Sequence, residues 1–335
     1  MAIQYYQFET NTTDIPATSG SVTRQNGFYG TNLGVMQYFV IRQELTVASG
    51  DITAPLDSLI SQCRIIISGE TFIDWNSASA PASDSTLPGR FGYEVNMMGG
   101  KVYEVPAAAG ATSRDIWMFI PVGAVLSGAE LPRFEVTLGF YDYNLTGGGS
   151  ATISSGTCTY GAVFNDAPGL NTVKCLSRTS FQHTANALES VTVKIPQMGN
   201  GWTTAAVTVQ NDSEADEMGA QGLRFVGMSD WGLPTSLVRQ LSGEVSNAIE
   251  YFAPDLNGST YAQTTRSSRD GSLVYPLFGV KAQSLTFIVD SSATTTRYYQ
   301  PWVSRPVAQV KEQKPVQTVA VGSTPDSVLA SRAEQ

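Results

Sequence analysis

The sequence holds one histidine in 335 residues, so any reaction that needs an imidazole base has to run through His183. Its neighbours, Ser180-Phe181-Gln182 and Thr184, include no carboxylate to orient the ring. A lone imidazole without a partner reads as a surface or otherwise satisfied loop histidine rather than a catalytic one. It also cannot build a His-rich metal site. Paired carboxylates of the kind that hydrolyse glycosides are matched in space and not in sequence. Asp74, Glu94, Glu104, Glu135, Asp142, Glu250 and Asp255 form the pool, and among 29 acidic residues no pair stands out. The densest run, Asp212-Ser213-Glu214-Ala215-Asp216-Glu217, lacks the D-x-[DN]-x-[DN]-G spacing of a calcium loop and reads as a solvated loop. Cys63, Cys158 and Cys175 lie far apart with no C-x-x-C spacing. An odd, sparse set fits buried reduced thiols of a protein made in a cytoplasm, with a Cys158–Cys175 pair left open. The phosphate-binding loop, the dinucleotide fingerprint, the zincin helix and the nucleophile elbow are all missing. The expectation is no catalytic residue, no cofactor and no metal.

Stacking on sugars is the other chemistry within reach, through Trp75, Trp117, Trp202, Trp231 and Trp302. Trp117 and Trp302 lie in or beside strand runs and are expected in the core. Trp202 and Trp231 stand beside glycines and come nearer the surface, although partial burial is the favoured reading for both. The formal net charge is −9, from 20 basic and 29 acidic side chains. That balance lacks the Lys/Arg surplus that phosphate backbones attract, so direct nucleic-acid binding is not expected. No run approaches the roughly 18 apolar residues of a membrane span. Met1-Ala2-Ile3-Gln4-Tyr5-Tyr6 has neither the basic nor the apolar part of a signal peptide.

Positioning any of these residues falls to β-strands. Apolar residues make up 42% and charged residues 15%, against a usual charged share of roughly 25%. Low charge with abundant Gly, Thr, Val and aromatic residues predicts an all-β chain, and the length suits two domains. Phe134 to Phe140, Val191 to Ile195, Val207 to Val209, Leu223 to Phe225 and Leu285 to Val289 alternate with period two, as half-buried strands do. Met36 to Val47, Arg64 to Ile73, Ile116 to Ile120 and Leu273 to Phe278 are fuller apolar runs suited to central strands. Helix signals are confined to Pro55–Ile60 and to Pro234–Phe252, where Leu237, Val238, Leu241, Val245 and Ile249 keep helical spacing. Residues 1–34 read as an extended arm or a loosely attached first strand. The glycine-rich stretch Gly147-Gly148-Gly149-Ser150 marks the division between a first sandwich, 35–150, and a second, 151–304. Residues 305–335, almost without aromatics, read as a flexible tail. A faint internal echo pairs Ser58–Cys63 with Ser236–Leu241. It also pairs Met118–Pro121 and Phe134–Phe140 with Leu273–Pro276 and Leu285–Val289.

These features carry a resemblance: the strand runs of 36–142, the short helix signals and the closing strand Tyr298-Tyr299-Gln300-Pro301-Trp302-Val303. Over about 270 residues the chain resembles the double jelly-roll major capsid proteins of tailless icosahedral viruses with an internal membrane. The corticovirus and finnlakevirus type of bacteriophage is nearest in size. The resemblance implies two consecutive eight-stranded jelly rolls with a few short helices, and homotrimeric capsomers of pseudo-hexagonal outline that tile a virion. Neighbouring capsomers, minor capsid or vertex proteins, and the inner membrane through the termini would be the partners. Lys311 and Lys314 add at most roughly 1 kcal/mol each near an anionic surface, so they anchor nothing alone. Two further readings of the same strands are a carbohydrate-binding adhesin or spike, and a β-sandwich glycosidase or lyase. The first needs an exposed aromatic platform and the second a cleft with paired carboxylates.

Overall fold

The computed structural model describes residues 4–16, 19–29, 33–49, 56–77, 90–105, 113–126, 132–141, 152–165, 169–195, 199–211, 220–225, 232–233, 272–280, 284–290 and 294–307. Period-two sequence becomes period-two burial. Along Arg133–Phe140, Arg133 is exposed while Phe134, Val136, Leu138 and Phe140 are buried.

The first half forms two sheets packed around one core. In one, β1 (Gln4–Phe8), β10 (Thr152–Asn165), β4 (Val35–Ser49), β8 (Ser113–Val125) and β7 (Lys101–Val105) pair in that order, and β2 (Thr13–Asp14) adds to β10. In the other, β3 (Gly20–Gly27), β9 (Arg133–Phe140), β5 (Ile60–Ile67) and β6 (Glu70–Asn76) are neighbours. The second half repeats this order. β11 (Asn171–Cys175) and β12 (Thr179–His183) pair with β19 (Thr295–Pro306), which is followed by β14 (Thr203–Asn211) and β17 (Ser272–Val280). Its other sheet runs β13 (Leu188–Lys194), β18 (Ser284–Asp290), β15 (Ala220–Phe225), β16 (Gly232–Leu233). Read in chain order, the first-half strands β1/β2, β3, β4, β5, β6, β8, β9 and β10 hold the same sheet positions as β11/β12 and β13 to β19. The chain is a double jelly roll. The echo between Met118–Phe140 and Leu273–Val289 follows from this repeat, since β8 and β9 correspond to β17 and β18.

Several boundaries differ from the sequence expectation. The residues read as an arm include β1 and β3, which ladder along their length with β10 and β9. Glu9 joins these two sheet edges by accepting from Arg24 Nε at 3.2 Å and from Asn26. The strand just after the expected 150/151 division, β10, pairs with β4 from Thr152↔Ser49 to Asn165↔Val35 and so completes the first sheet. The run Arg64–Ile73 is two strands, because Ser68 and Gly69 take positive φ (50° and 83°) and turn the chain into a hairpin. The run Leu273–Phe278 lies in β17, which ends the order of its sheet instead of standing in its middle. β19 continues past the expected tail boundary, with Arg305 and Pro306 opposite Thr172 and Asn171. A 3-10 turn at Leu56–Leu59 matches the first helix signal. The expected helix at 234–252, the 236–241 arm of the echo and the rest of the tail lie outside the described residues.

Candidate functional site

The two jelly rolls share a wall. β6 of the first meets β11 of the second in a parallel bridge, Cys175↔Ile73, which makes one nine-stranded sheet. On one side Trp75, Cys175, Ala206 and Trp302 join the first and larger core; on the other Val207, Val209, Tyr299 and Val303 join the second. The sheet of the second roll built on β19 and β14 is therefore covered on both faces.

Its covered outward face carries a polar hub. Helix α1 (Arg90–Met97), which follows β6, buries Glu94 against it. Trp302 Nε1 donates to Glu94 Oε2 at 2.7 Å and Gln210 Nε2 to Oε1 at 3.0 Å. Burial pushes the Glu94 carboxyl above the usual carboxylate range, and the donors around it offset only part of that rise. The helix approaches the 3-10 turn Leu56–Leu59 closely because residue 92 is glycine: a Cβ there would stand inside the Asp57 carboxylate. Beside the hub, Gln300 Nε2 donates to the carbonyls of Asp74 (2.7 Å) and Leu176 (3.0 Å).

On the opposite face of the same sheet lies His183, at the end of β12 and 1% exposed. It is a buried strand residue, satisfied on both nitrogens, where the sequence suggested a surface or loop position without an acidic partner. Nδ1 lies 2.8 Å from Glu189 Oε2 on β13, and Nε2 lies 3.2 Å from the Tyr299 hydroxyl. The neutral ring donates to the carboxylate and accepts from the phenol. Burial lowers its pKa and Arg297 lowers it further, while the Glu189 bond pulls the other way. Glu189 is held below its ordinary range, chiefly by the bond from His183.

The remaining sequence candidates are dispersed. Asp74 accepts from Ser177 Oγ, Glu135 from Gln25 Nε2 at 2.6 Å, and Glu104 lies on β7. None of these bonds brings two of the pooled carboxylates together. Asp142, Glu250, Asp255, the acidic run 212–217 and Trp231 lie outside the described residues. Among the described residues no three His, Cys, Asp or Glu side chains gather as metal ligands. All three cysteines are buried free thiols. The open depression of about 810 Å³ beside the Ser68–Gly69 turn, lined by Phe28, Tyr29, Pro132 and Arg133 among others, holds no acid–base pair.

Among the tryptophans, Trp302 lies in the core as expected, and Trp117 corrects the sequence reading. Trp75 and Trp302 are fully buried, and Trp202 is buried with the Lys174 ammonium and Arg305 guanidinium 5.2 and 4.6 Å from its ring centre. Trp117 is not in the core. On β8, Ile116, Met118 and Ile120 point inward, and the alternate residues Trp117 and Phe119 face outward, half-buried. Around them on the outside of the six-stranded sheet stand Phe8, 5.7 Å from Trp117, and Tyr38 and Tyr103, 6.2 and 6.0 Å from Phe119, all edge-to-face. Arg42 lies 4.9 Å over Trp117 and is clamped by Asp115 and Glu44.

No protein-family model and no curated protein matches the sequence. Solved structures do match the fold. The crystal structure of the STIV major capsid protein aligns with TM-score 0.51 at 10% identity, over 91% of this chain and 97% of that one. The PBCV-1 virus capsid aligns at TM-score 0.46 and 9% identity over 92% and 95% of the two chains. The mavirus major capsid protein aligns at 0.36 and 14% over 89% and 86%. Similarity to the first covers both jelly rolls and establishes the shared double jelly-roll architecture.

Proposed function

We propose that this chain is a structural major capsid protein, located in the virion, whose homotrimers tile an icosahedral shell. The observation that carries the reading is the likeness to the STIV major capsid protein over 91% of this chain and 97% of that one, a span that takes in both rolls and not one sandwich alone. A shell subunit must be a rigid block that presents repeated side faces. The shared nine-stranded sheet, sealed by Trp302 and Glu94, makes one block of two rolls. Three copies then present six similar rolls, and cyclic closure prevents open-ended growth. The role is structural and non-enzymatic, with other copies of the chain as principal partners. The finer assignment, a corticovirus- or finnlakevirus-type phage shell with an internal membrane and vertex proteins, is part of the proposal and rests on chain size and architecture.

Light scattering on the purified chain tests it. Three copies of the 35.8 kDa chain give about 107 kDa, with a pseudo-hexagonal outline in negative stain. A monodisperse monomer across micromolar dilutions rejects the capsid reading.

A further inference from the structure

The core of the first roll encloses a polar patch. On the inward side of the six-stranded sheet, Cys158 on β10 stands opposite Thr13 on β2 and Gln43 on β4, and Gln43 stands opposite Ile116 on β8. Directly opposed residues share a face, with Cβ atoms about 5 Å apart. Two residues further along β10, Tyr160 accepts at its carbonyl from the Glu9 N–H at 2.9 Å. Gln43 and Tyr160 are fully buried, and the Glu9 side chain is 6% exposed. Five buried polar atoms of this patch have no hydrogen-bond partner among the described residues: Glu9 Oε2, Thr13 Oγ1, both amide atoms of Gln43 and the Tyr160 hydroxyl. The Cys158 thiol beside the phenol is a weak partner. Burial keeps both neutral: it pushes Cys158 up to about 12 and raises Tyr160 above its ordinary value, with Cys158, Cys63 and Glu9 adding to the rise of the phenol. Buried amide and carboxylate atoms without partners oppose folding, so the patch points to a guest.

The second roll shows what occupies the equivalent place. There Tyr299 on β19 reaches the Glu189 carboxylate on β13 through the imidazole of His183 on β12. β10, β1/β2 and β3 are the matching strands of the first roll. Tyr160 on β10 is its buried tyrosine, and Glu9 beside β1 its carboxylate, with Oε1 bonded to Arg24 and Asn26 on β3. The chain has one histidine, and among the described residues no side chain bridges Tyr160 to Glu9.

We infer that the first roll binds ordered water inside its core, in a pocket walled by Glu9, Thr13, Gln43, Cys158 and Tyr160. The water links the middle of the six-stranded sheet to Glu9 and so to β3, the part that His183 plays in the second roll. The balance of donors and acceptors selects water. Gln43 Nε2 only donates, Glu9 Oε2 and Gln43 Oε1 accept, and the two hydroxyls do either. A cation would satisfy the oxygens and repel the amide N–H groups. It would also add charge to a core where Arg24 already balances Glu9. Water brings donors and acceptors without charge, and at about three bonds per buried molecule five atoms require about two waters.

The test counts long-lived waters by solvent-oxygen relaxation dispersion in wild type, Tyr160→Phe and Gln43→Leu. Thr192→Val, at the exposed Thr192–Thr286 pair of the second roll, is the control, and far-UV circular dichroism checks the fold. The expected result is a count lowered by at least one in both core variants and unchanged in the control. Tyr160→Phe removes a single oxygen, so it reads the pocket even where Gln43→Leu disturbs folding. A count that no folded core variant lowers overturns the inference. Melting temperatures in choline, sodium, potassium and calcium chloride at equal ionic strength address the other guest. The expected result is the same order of salts for wild type and Tyr160→Phe. A rise with one metal ion that Tyr160→Phe abolishes overturns the water assignment and gives the pocket to a cation.

Discussion

The corresponding outward faces of the two rolls solve opposite problems. In the second roll the face is sealed within the chain, and it buries polar groups with partners from both rolls: Glu94 accepts from Trp302 and Gln210, and the Gln300 amide bridges two backbone carbonyls. In the first roll the face keeps its charges at the surface, where Arg42 is held by Asp115 and Glu44, and fills the rest with aromatic rings. A face closed at folding can include a buried carboxyl, because its partners arrive in the same cooperative event. A face that stays at the surface must remain soluble. It therefore uses amphipathic rings and pre-paired charges.

The comparison breaks first at Glu94. Glu94→Ala leaves the Trp302 N–H and the Gln210 amide facing a cavity. At ~1–3 kcal/mol for each buried donor left unpaired, plus the cavity, the loss is about 3–5 kcal/mol in chemical denaturation. Glu94→Gln keeps the shape and an acceptor oxygen, and stays within about 1 kcal/mol of wild type at pH 4. The raised carboxyl pKa sets the sign of the pH dependence. The folded protein holds this proton more tightly than the unfolded chain. Stability from the group is thus present below the ordinary glutamate value and is lost as pH rises through the folded value. The melting temperature of Glu94→Gln should draw ahead of wild type from pH 4 to pH 8. Parallel curves would show an ordinary ionised carboxylate at the hub.

His183, behind the same sheet, should show the reverse slope. Its folded pKa is lowered, so its stability contribution is present above the ordinary value of 6.5 and is lost as pH falls through the folded value. The lowered Glu189 acts in the same direction. His183→Gln should cost about 1–2 kcal/mol at pH 7, through the Tyr299 and Glu189 bonds, and should flatten the loss of melting temperature between pH 7 and pH 5. An unchanged acid limb refutes the assignment of acid sensitivity to this ring.

The strands were legible because period two is written directly in Phe134–Phe140 and Val191–Ile195. What the pattern does not contain is which row points inward when both rows are apolar. On β8 the rows Ile116-Met118-Ile120 and Trp117-Phe119 are equally hydrophobic, so Trp117 reads as core when only packing turns it outward. Arg64–Ile73 hid its turn for the same reason, with apolar residues on either side of Ser68-Gly69. Helix α1 is eight residues long, contains a glycine and a β-branched valine, and has no propensity signal. It exists because tertiary packing fixes it, as Gly92 against Asp57 illustrates. The Glu94 hub joins residues 116 and 208 positions apart, which no spacing rule reaches.

The smallest effect belongs to the aromatic face. Arg42 reaches Asp115 with Nε and Nη2 at 3.1 and 2.8 Å and Glu44 with Nη2 at 2.6 Å, and its pKa is raised chiefly by the Asp115 bond. Its side chain is nevertheless 31% exposed and that of Glu44 44%, so water and salt screen the pairing. Arg42→Met keeps the stem over Trp117 and removes the charge. It should cost the isolated, dilute chain about 0.5 kcal/mol, and less again in 0.5 M salt, against the several kcal/mol of Glu94→Ala. The variant removes the ion pair from both Asp115 and Glu44, while Asp115 keeps the Trp117 indole N–H at 3.2 Å. Equal costs in the dilute chain for Arg42→Met and Glu94→Ala would mean that both faces are sealed at folding.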